Sequence, residues 1–147
     1  MRKSALPPLP FEFRDVRDDE ASTGFVIRVP AHILSKADLL AALATTGRFP
    51  DYFGRNWDSL LDCLRDFHWI EEKRIVIAHT DLPLQTLPKE CRTYLEILRD
   101  SVLDWTRHGD PGGKYSSMPL EHELLVLFPA SLQSRTMDAL RKQADGN

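Results

Sequence analysis

The sequence predicts an α/β fold: a three-layer sandwich in which a small, mainly parallel sheet of about three strands is covered by helices. Three segments have the composition of buried strands, namely Phe25–Val29, Arg74–Ala78 and Glu123–Phe128. Each is a short run of mostly apolar, often β-branched residues, a pattern typical of strands that are covered on both faces. Segments with helical spacing separate the three runs, and this alternation favours a parallel sheet.

Four helices are predicted from apolar spacing and from capping residues. The first begins after Ser35, which together with Asp38 fits a capping box, and it ends at Gly47. The second covers about residues 56–67. The last is expected to start at a Ser131 cap. The third is marked by apolar residues at helical spacing, which are Leu95, Leu98, Val102 and Trp105.

A length of 147 residues favours one main domain. Residues 1–24 are interpreted as an N-terminal extension, because the proline-rich stretch up to Pro10 cannot be helical. Phe11–Phe13 alternates in the manner of a short additional strand. The domain itself is assigned to residues 25–147. A glycine-rich break near residue 110 and a polar loop up to residue 120 precede its last strand.

Composition excludes several classes of protein. Hydrophobic residues make up 42% and charged residues 28%, which are ordinary values for a globular chain. No apolar run approaches the roughly 20 residues that span a membrane, and prolines interrupt the start where a secretory segment would lie. A cytoplasmic location is therefore expected. The net charge of −3 argues against direct binding of nucleic acid.

The sequence contains no pattern of a catalytic or metal centre. Cys63 and Cys91 lack the spacing of metal ligands and are expected to be free thiols. The five histidines do not pair at ligand spacing, so neither a metal nor a cofactor is predicted. His122, between two glutamates, is a candidate general base, but its position at the start of a strand favours an edge or interface role. Asp110–Lys114 is interpreted as an ordinary turn.

The most informative segment is the loop and helix at residues 49–64, Phe-Pro-Asp-Tyr-Phe-Gly-Arg-Asn-Trp-Asp-Ser-Leu-Leu-Asp-Cys-Leu. At about 100° per residue, one helix side collects apolar residues, and Trp57, Leu60 and Leu64 are expected to be buried. Asp58, Asp62 and Asp66 follow at i, i+4 and i+8 on another side. Such like-charge pairs each destabilise a helix by roughly 0.2–0.5 kcal/mol. A solvated polar face is the ordinary interpretation.

The preceding loop favours a protein interface, because Tyr52, Phe53 and Gly54 place aromatic residues and a flexible turn beside these acids. The pattern Phe-Pro-Asp-Tyr-Phe-Gly-x-Asn-x-Asp-x-Leu-x-Asp-Cys-Leu resembles the signature of the barstar family of ribonuclease inhibitors, in good register from about residue 33 to 67. The resemblance implies a barstar-like domain whose loop and helix enter the basic active site of a small ribonuclease.

The same resemblance implies roles for individual residues. Asp62 would occupy the subsite of an RNA phosphate, facing arginines, a lysine and a histidine of the nuclease. Asp58 would be a second acidic contact. The acidic set is completed by Asp66 on the same helix face and by Asp100 on the third helix. The aromatic and polar flank would be Tyr52, Phe53, Gly54 and Asn56.

Two positions depart from the family pattern. Leu61 stands where the best-known members carry a tryptophan, and Trp57 stands where they carry a smaller aliphatic residue. The sequence predicts a non-enzymatic inhibitor, or immunity protein, of a barnase-like ribonuclease or nuclease toxin. One alternative is a barstar-like regulatory or adaptor module that binds a protein other than a nuclease. Another is a small α/β hydrolase that uses Asp58 and Asp62 as paired carboxylates.

Overall fold

The computed structural model describes residues 10–108 and 122–141. Its centre is a parallel sheet of four strands in the order β1-β4-β3-β2. The strands are β1 (Glu12–Phe13), β2 (Phe25–Val29), β3 (Arg74–His79) and β4 (Glu123–Phe128). The three long strands and their parallel pairing confirm the predicted fold class, and the short β1 adds a fourth strand by pairing with β4. The predicted turn at Asp110–Lys114 and the polar loop after it lie outside the described residues.

Of the five α-helices in the described residues, four lie at nearly the predicted places, and the first was not predicted. The five are α1 (Asp18–Thr23), α2 (Lys36–Thr46), α3 (Trp57–Leu64), α4 (Pro88–His108) and α5 (Gln133–Arg141). Ser35 caps α2 as predicted, because its side chain accepts a hydrogen bond from the backbone N–H of Asp38 at 3.1 Å. The predicted cap at Ser131 is wrong. Ser131 lies inside a 3₁₀ turn, Ala130–Leu132, which the chain inserts between Pro129 and α5.

One face of the sheet carries the main core. Alternate residues of the long strands point to this face, as the two-residue repeat of a strand requires, and the helical layer closes over them. Buried core side chains include Ile27, Ile75, Ile77, Val126, Leu39, Leu43, Leu60, Leu64, Leu95 and Leu98.

The opposite face of the sheet has a thinner cover. Val76, Ala78 and Leu127 form a separate small cluster there, against which Val16 packs. The preceding α1 contacts β2 and β3. The two helical layers are therefore unequal: α2, α3 and α4 bury one face, and a single six-residue helix with its flanking chain contributes to the other.

An ion pair ties this N-terminal segment together. Glu20 is 1% exposed, and Arg14 donates to its two carboxylate oxygens at 2.9 and 2.7 Å. The backbone N–H of Arg17 donates to the same carboxylate at 2.9 Å. The Arg14 hydrogen bonds, against the opposing effect of burial, hold the pKa of Glu20 down to about 2. Arg74 on β3 approaches Glu20 at 3.8 Å, which links the segment to the sheet. The domain boundary at residue 24 stays a prediction.

Candidate functional site

The helix α3 presents two carboxylates to solvent. Asn56 caps it, because the Asn56 side chain accepts a hydrogen bond from the backbone N–H of Ser59 at 2.8 Å. Leu60 and Leu64 are fully buried in the core. Asp58 and Asp62 are exposed, as predicted, one turn apart on the outer side of the helix. The burial of one face of α3 therefore determines the orientation of the other.

The loop before α3 is held by its own hydrogen bonds. The backbone N–H of Phe53 donates to the Pro50 carbonyl at 3.0 Å, and that of Gly54 donates to the Ser59 hydroxyl at 3.0 Å. A Cβ on residue 54 would lie 2.7 Å from the Ser59 hydroxyl oxygen, so a larger residue would displace the hydroxyl that accepts this hydrogen bond. Arg55 adopts a left-handed backbone conformation with φ of 57°. The loop thus enters α3 along a fixed path.

Phe53 differs from its predicted role. Its side chain is 8% exposed and belongs to the core, where its ring meets that of Phe49 edge-on with centroids 4.9 Å apart. Of the two aromatic residues expected on the flank, only Tyr52 presents its ring to solvent, with 60% of the residue exposed. Phe53 therefore fixes the loop from inside.

Asp66 is also placed differently from the prediction. Since α3 ends at Leu64, Asp66 does not continue a helical stripe of Asp58 and Asp62. Its carboxylate instead accepts a hydrogen bond from the Tyr52 hydroxyl at 2.9 Å, and the same oxygen lies 2.9 Å from Nδ1 of His68. Desolvation and the bond to Asp66 raise the pKa of Tyr52 to about 12. Sequence reasoning missed His68, whose only signal was its place just beyond the acidic helix.

Trp57 is half-buried, which corrects the expectation that it is buried. Its indole N–H donates to the Glu90 carboxylate at 3.0 Å, and the ammonium of Lys36 lies 5.2 Å from its ring centroid. An indole N–H needs a polar partner, so the ring stays at the edge of the core, where it joins the starts of α3 and α4.

Asp100 lies on α4 beside α3 and is exposed, with Arg99 Nε 3.2 Å from its carboxylate. It shares a shallow groove between the two helices with Leu61, Arg65, Leu103 and Asp104. Arg65 spans this groove, because its Nε donates to the Asp104 carboxylate at 2.9 Å. The groove thus carries two acidic residues of α4, Asp100 and Asp104, and its walls include half-buried Leu61 and exposed Leu103.

His122, Cys63 and Cys91 are all buried in the structure. His122 is 2% exposed, and its two ring nitrogens lie 2.8 and 2.9 Å from the carbonyl oxygens of Glu72 and Phe67. This buried position corrects the expectation of an edge or interface residue. Cys63 and Cys91 are free and buried, and burial raises the pKa of each thiol to about 11. Within residues 10–108 and 122–141, no three potential metal ligands cluster.

Comparison with known proteins gives one match. The model of the family described as Barstar (barnase inhibitor) matches residues 25–113, which include the loop, α3 and all of α4. No curated protein and no solved structure matches the chain. Across the described residues, no helix is long and apolar enough to cross a membrane. The family match covers more than half of the sequence, and the chain belongs to the barstar family.

Proposed function

We propose that the protein is a non-enzymatic inhibitor of a barnase-like ribonuclease or nuclease toxin, and that α3 and its preceding loop block the basic active site of that enzyme. The observation that carries the proposal is the pair of exposed carboxylates, Asp58 and Asp62, on a helix fixed by the core. They lie in the part of the chain that the barstar family model matches.

The chemistry of this surface suits a cleft that binds RNA phosphates. A carboxylate offers two oxygens to a guanidinium in the same forked geometry as a phosphate, so arginines that hold RNA can bind Asp62 instead. Asp58 lies one turn away on α3, and exposed Asp100 lies on α4 in the groove that Leu61 of α3 also lines. Tyr52 adds an exposed aromatic ring, a residue type enriched in protein interfaces.

The inhibitor is expected to have no hydrolytic activity of its own. The hydrolase alternative relies on Asp58 and Asp62 as paired carboxylates, and a hydrolase would also need a nucleophile, a base or a metal beside them. An assay of the purified protein on RNA, nucleotides and glycosides, with and without divalent metal, tests this. Turnover that disappears in Asp58→Ala would support the hydrolase alternative.

The main test is the substitution Asp62→Ala. We expect loss of about 2 kcal/mol or more of binding free energy, as for central interface anchors, of which barstar complexes are a known example. The melting temperature should hold or rise slightly, because alanine favours the helix and relieves repulsion with Asp58. Inhibition of small, basic barnase-type ribonucleases and calorimetric titration against them measure the effect.

The matched control is Asp138→Ala, which removes another exposed carboxylate, from α5. Equal loss of binding in both variants would indicate diffuse acidic attraction and overturn the assignment of Asp62. If the wild-type protein inhibits none of these nucleases, the proposal fails and the adaptor alternative is favoured. Leu61 stands where the best-known family members carry an interface tryptophan, and this difference is the sequence feature that supports the adaptor alternative.

A further inference from the structure

Tyr52 is held in place in a way that the family resemblance does not imply. Its residue is 60% exposed, yet both its polar tip and its ring face have partners. The hydroxyl donates to Asp66 Oδ2 at 2.9 Å. The ring stacks on that of His68, with centroids 6.2 Å apart and planes inclined by 8°. An exposed tyrosine without such contacts would sample several rotamers.

The same carboxylate oxygen binds both partners of this cluster. His68 Nδ1 lies 2.9 Å from Asp66 Oδ2, the atom that also accepts the hydrogen bond from the Tyr52 hydroxyl. An ionised carboxylate only accepts hydrogen bonds, so the histidine carries its proton on Nδ1. The His68 ring in turn meets Trp69 edge-on, with centroids 5.3 Å apart. Trp69 is bound to the scaffold, because its indole N–H donates to the Gly47 carbonyl at 2.9 Å.

The position of this cluster gives it a role. Asp66 and His68 follow α3 directly, and Tyr52 precedes it, so the three side chains meet beside the helix that carries Asp58 and Asp62. The loop backbone on the other side of Tyr52 is already fixed through Phe53 and Gly54. The ring of Tyr52 is the part of the loop that would otherwise remain free to rotate.

We propose that Asp66 and His68 are positioning residues that hold the exposed ring of Tyr52 in one orientation for docking of the partner. This inference rests on the proposed function for its purpose, but the ordering of the ring is a property of the free protein. A ring that is ordered before binding loses less rotamer entropy when the complex forms. Loss of this ordering should weaken binding by about three- to tenfold.

The first experiment needs no partner. Solution NMR of the full chain with ¹³C-labelled tyrosine and histidine rings reports the χ1 rotamer of Tyr52 and its contacts with His68. The wild type should show one rotamer and ring-to-ring contacts. Asp66→Ala should average the Tyr52 rotamers and lose those contacts, and His68→Ala should average the Tyr52 rotamers as well. Asp51→Ala is the matched control, since it removes an exposed carboxylate next to Tyr52 outside the cluster. An averaged Tyr52 ring in the wild type would overturn the inference.

The second experiment is a double-mutant cycle on binding to a barnase-type ribonuclease. If Asp66 acts through Tyr52, Asp66→Ala should weaken binding about three- to tenfold in the wild type and not at all in the Tyr52→Ala background. Equal losses in both backgrounds would mean that Asp66 contacts the partner directly, which contradicts a positioning role. If the wild type binds no such ribonuclease, the proposed function fails, and the NMR result alone decides whether the cluster orders the ring.

Discussion

At the scale of single residues, the three acidic residues in and after α3 show what helical spacing can and cannot predict. Asp58 and Asp62 are exposed because Leu60 and Leu64 are buried. The angle between the exposed and the buried face of α3 follows from the helical repeat. Asp66 has the same spacing, yet it binds Tyr52 and His68 beyond the helix end. Spacing predicts a face only as far as the helix continues.

The left-handed backbone at Arg55 leads to a prediction of stability. Non-glycine residues with φ near 57° are strained by contact between Cβ and the backbone. Arg55→Gly should therefore raise the free energy of unfolding by about 0.5–1 kcal/mol, measured by urea denaturation. Arg55→Ala is the control, because it removes the same charge and keeps the strain. Equal stability of the two variants would show that the left-handed conformation at residue 55 does not lower the free energy of unfolding.

At the scale of elements, tertiary contacts decide where α3 ends. The apolar repeat continues from Leu64 to Phe67, and from it the sequence predicts a longer helix. In the structure the Leu64 carbonyl accepts the indole N–H of Trp105, and the Phe67 carbonyl lies 2.9 Å from Nε2 of His122. Both partners are distant in sequence, so the local pattern carries no information about them. Strand positions were predictable because each run is short, apolar and bounded by turn residues.

The contact between β3 and α4 gives a pH dependence. His79 ends β3, and its Nδ1 donates to the Leu127 carbonyl at 2.9 Å while its Nε2 accepts the Tyr94 hydroxyl at 2.8 Å. Burial lowers the pKa of His79 from 6.5 to about 4. The unfolded chain therefore takes up a proton below pH 6.5 that the folded chain excludes. Stability from this site is complete above pH 6.5 and falls as the pH drops toward 4.

Urea unfolding from pH 7.5 to 4 measures this effect, with His79→Gln as the variant that cannot titrate. We expect the free energy of unfolding of the wild type to fall more steeply below pH 6.5 than that of the variant. Parallel curves would mean that His79 takes up its proton equally in both states, against the assignment of a neutral, buried ring.

At the scale of the whole molecule, the sheet extends beyond the part that the family model matches. The match begins at residue 25, whereas β1 and α1 precede it. Phe11 is 6% exposed, and its ring lies 5.5 Å from that of Phe128 between centroids. The sequence indicated a short strand here, but not the buried ion pair, because neither Arg14 nor Glu20 has a local signal that distinguishes it from other surface charges.

That ion pair can be tested with two glutamates that bind the same arginine. Glu20→Gln should lower the free energy of unfolding by about 2 kcal/mol or more, because a buried guanidinium contact is lost. Glu12→Gln should lower the free energy of unfolding by less than about 1 kcal/mol, because Glu12 is exposed. Its Oε1 nevertheless lies 2.7 Å from Arg14 Nε. Thermal and urea denaturation compare the variants. Equal effects would contradict a structural role for the burial of Glu20.

The same pair predicts acid sensitivity. The pKa of Glu20 lies near 2 in the folded protein, below its ordinary value of 4.5. Its contribution is therefore complete above pH 4.5 and is lost as the pH falls toward 2. Acid titration followed by circular dichroism should show that Glu20→Gln lacks this part of the decline. A wild-type curve that coincides with that of the variant would contradict the lowered pKa.

The strand order also constrains how the chain folds as it leaves the ribosome. Glu12 pairs with Leu127, and β4 lies between β1 and β3, so the strand that joins the two halves of the sheet is synthesised last. A nascent chain ending after α4 holds β1 without a partner and β3 with one open, apolar edge. Such long-range parallel pairing slows folding and exposes an edge to aggregation. The sheet therefore cannot be completed before β4 is synthesised. A chain truncated before Glu123 would be a substrate for chaperones and proteases.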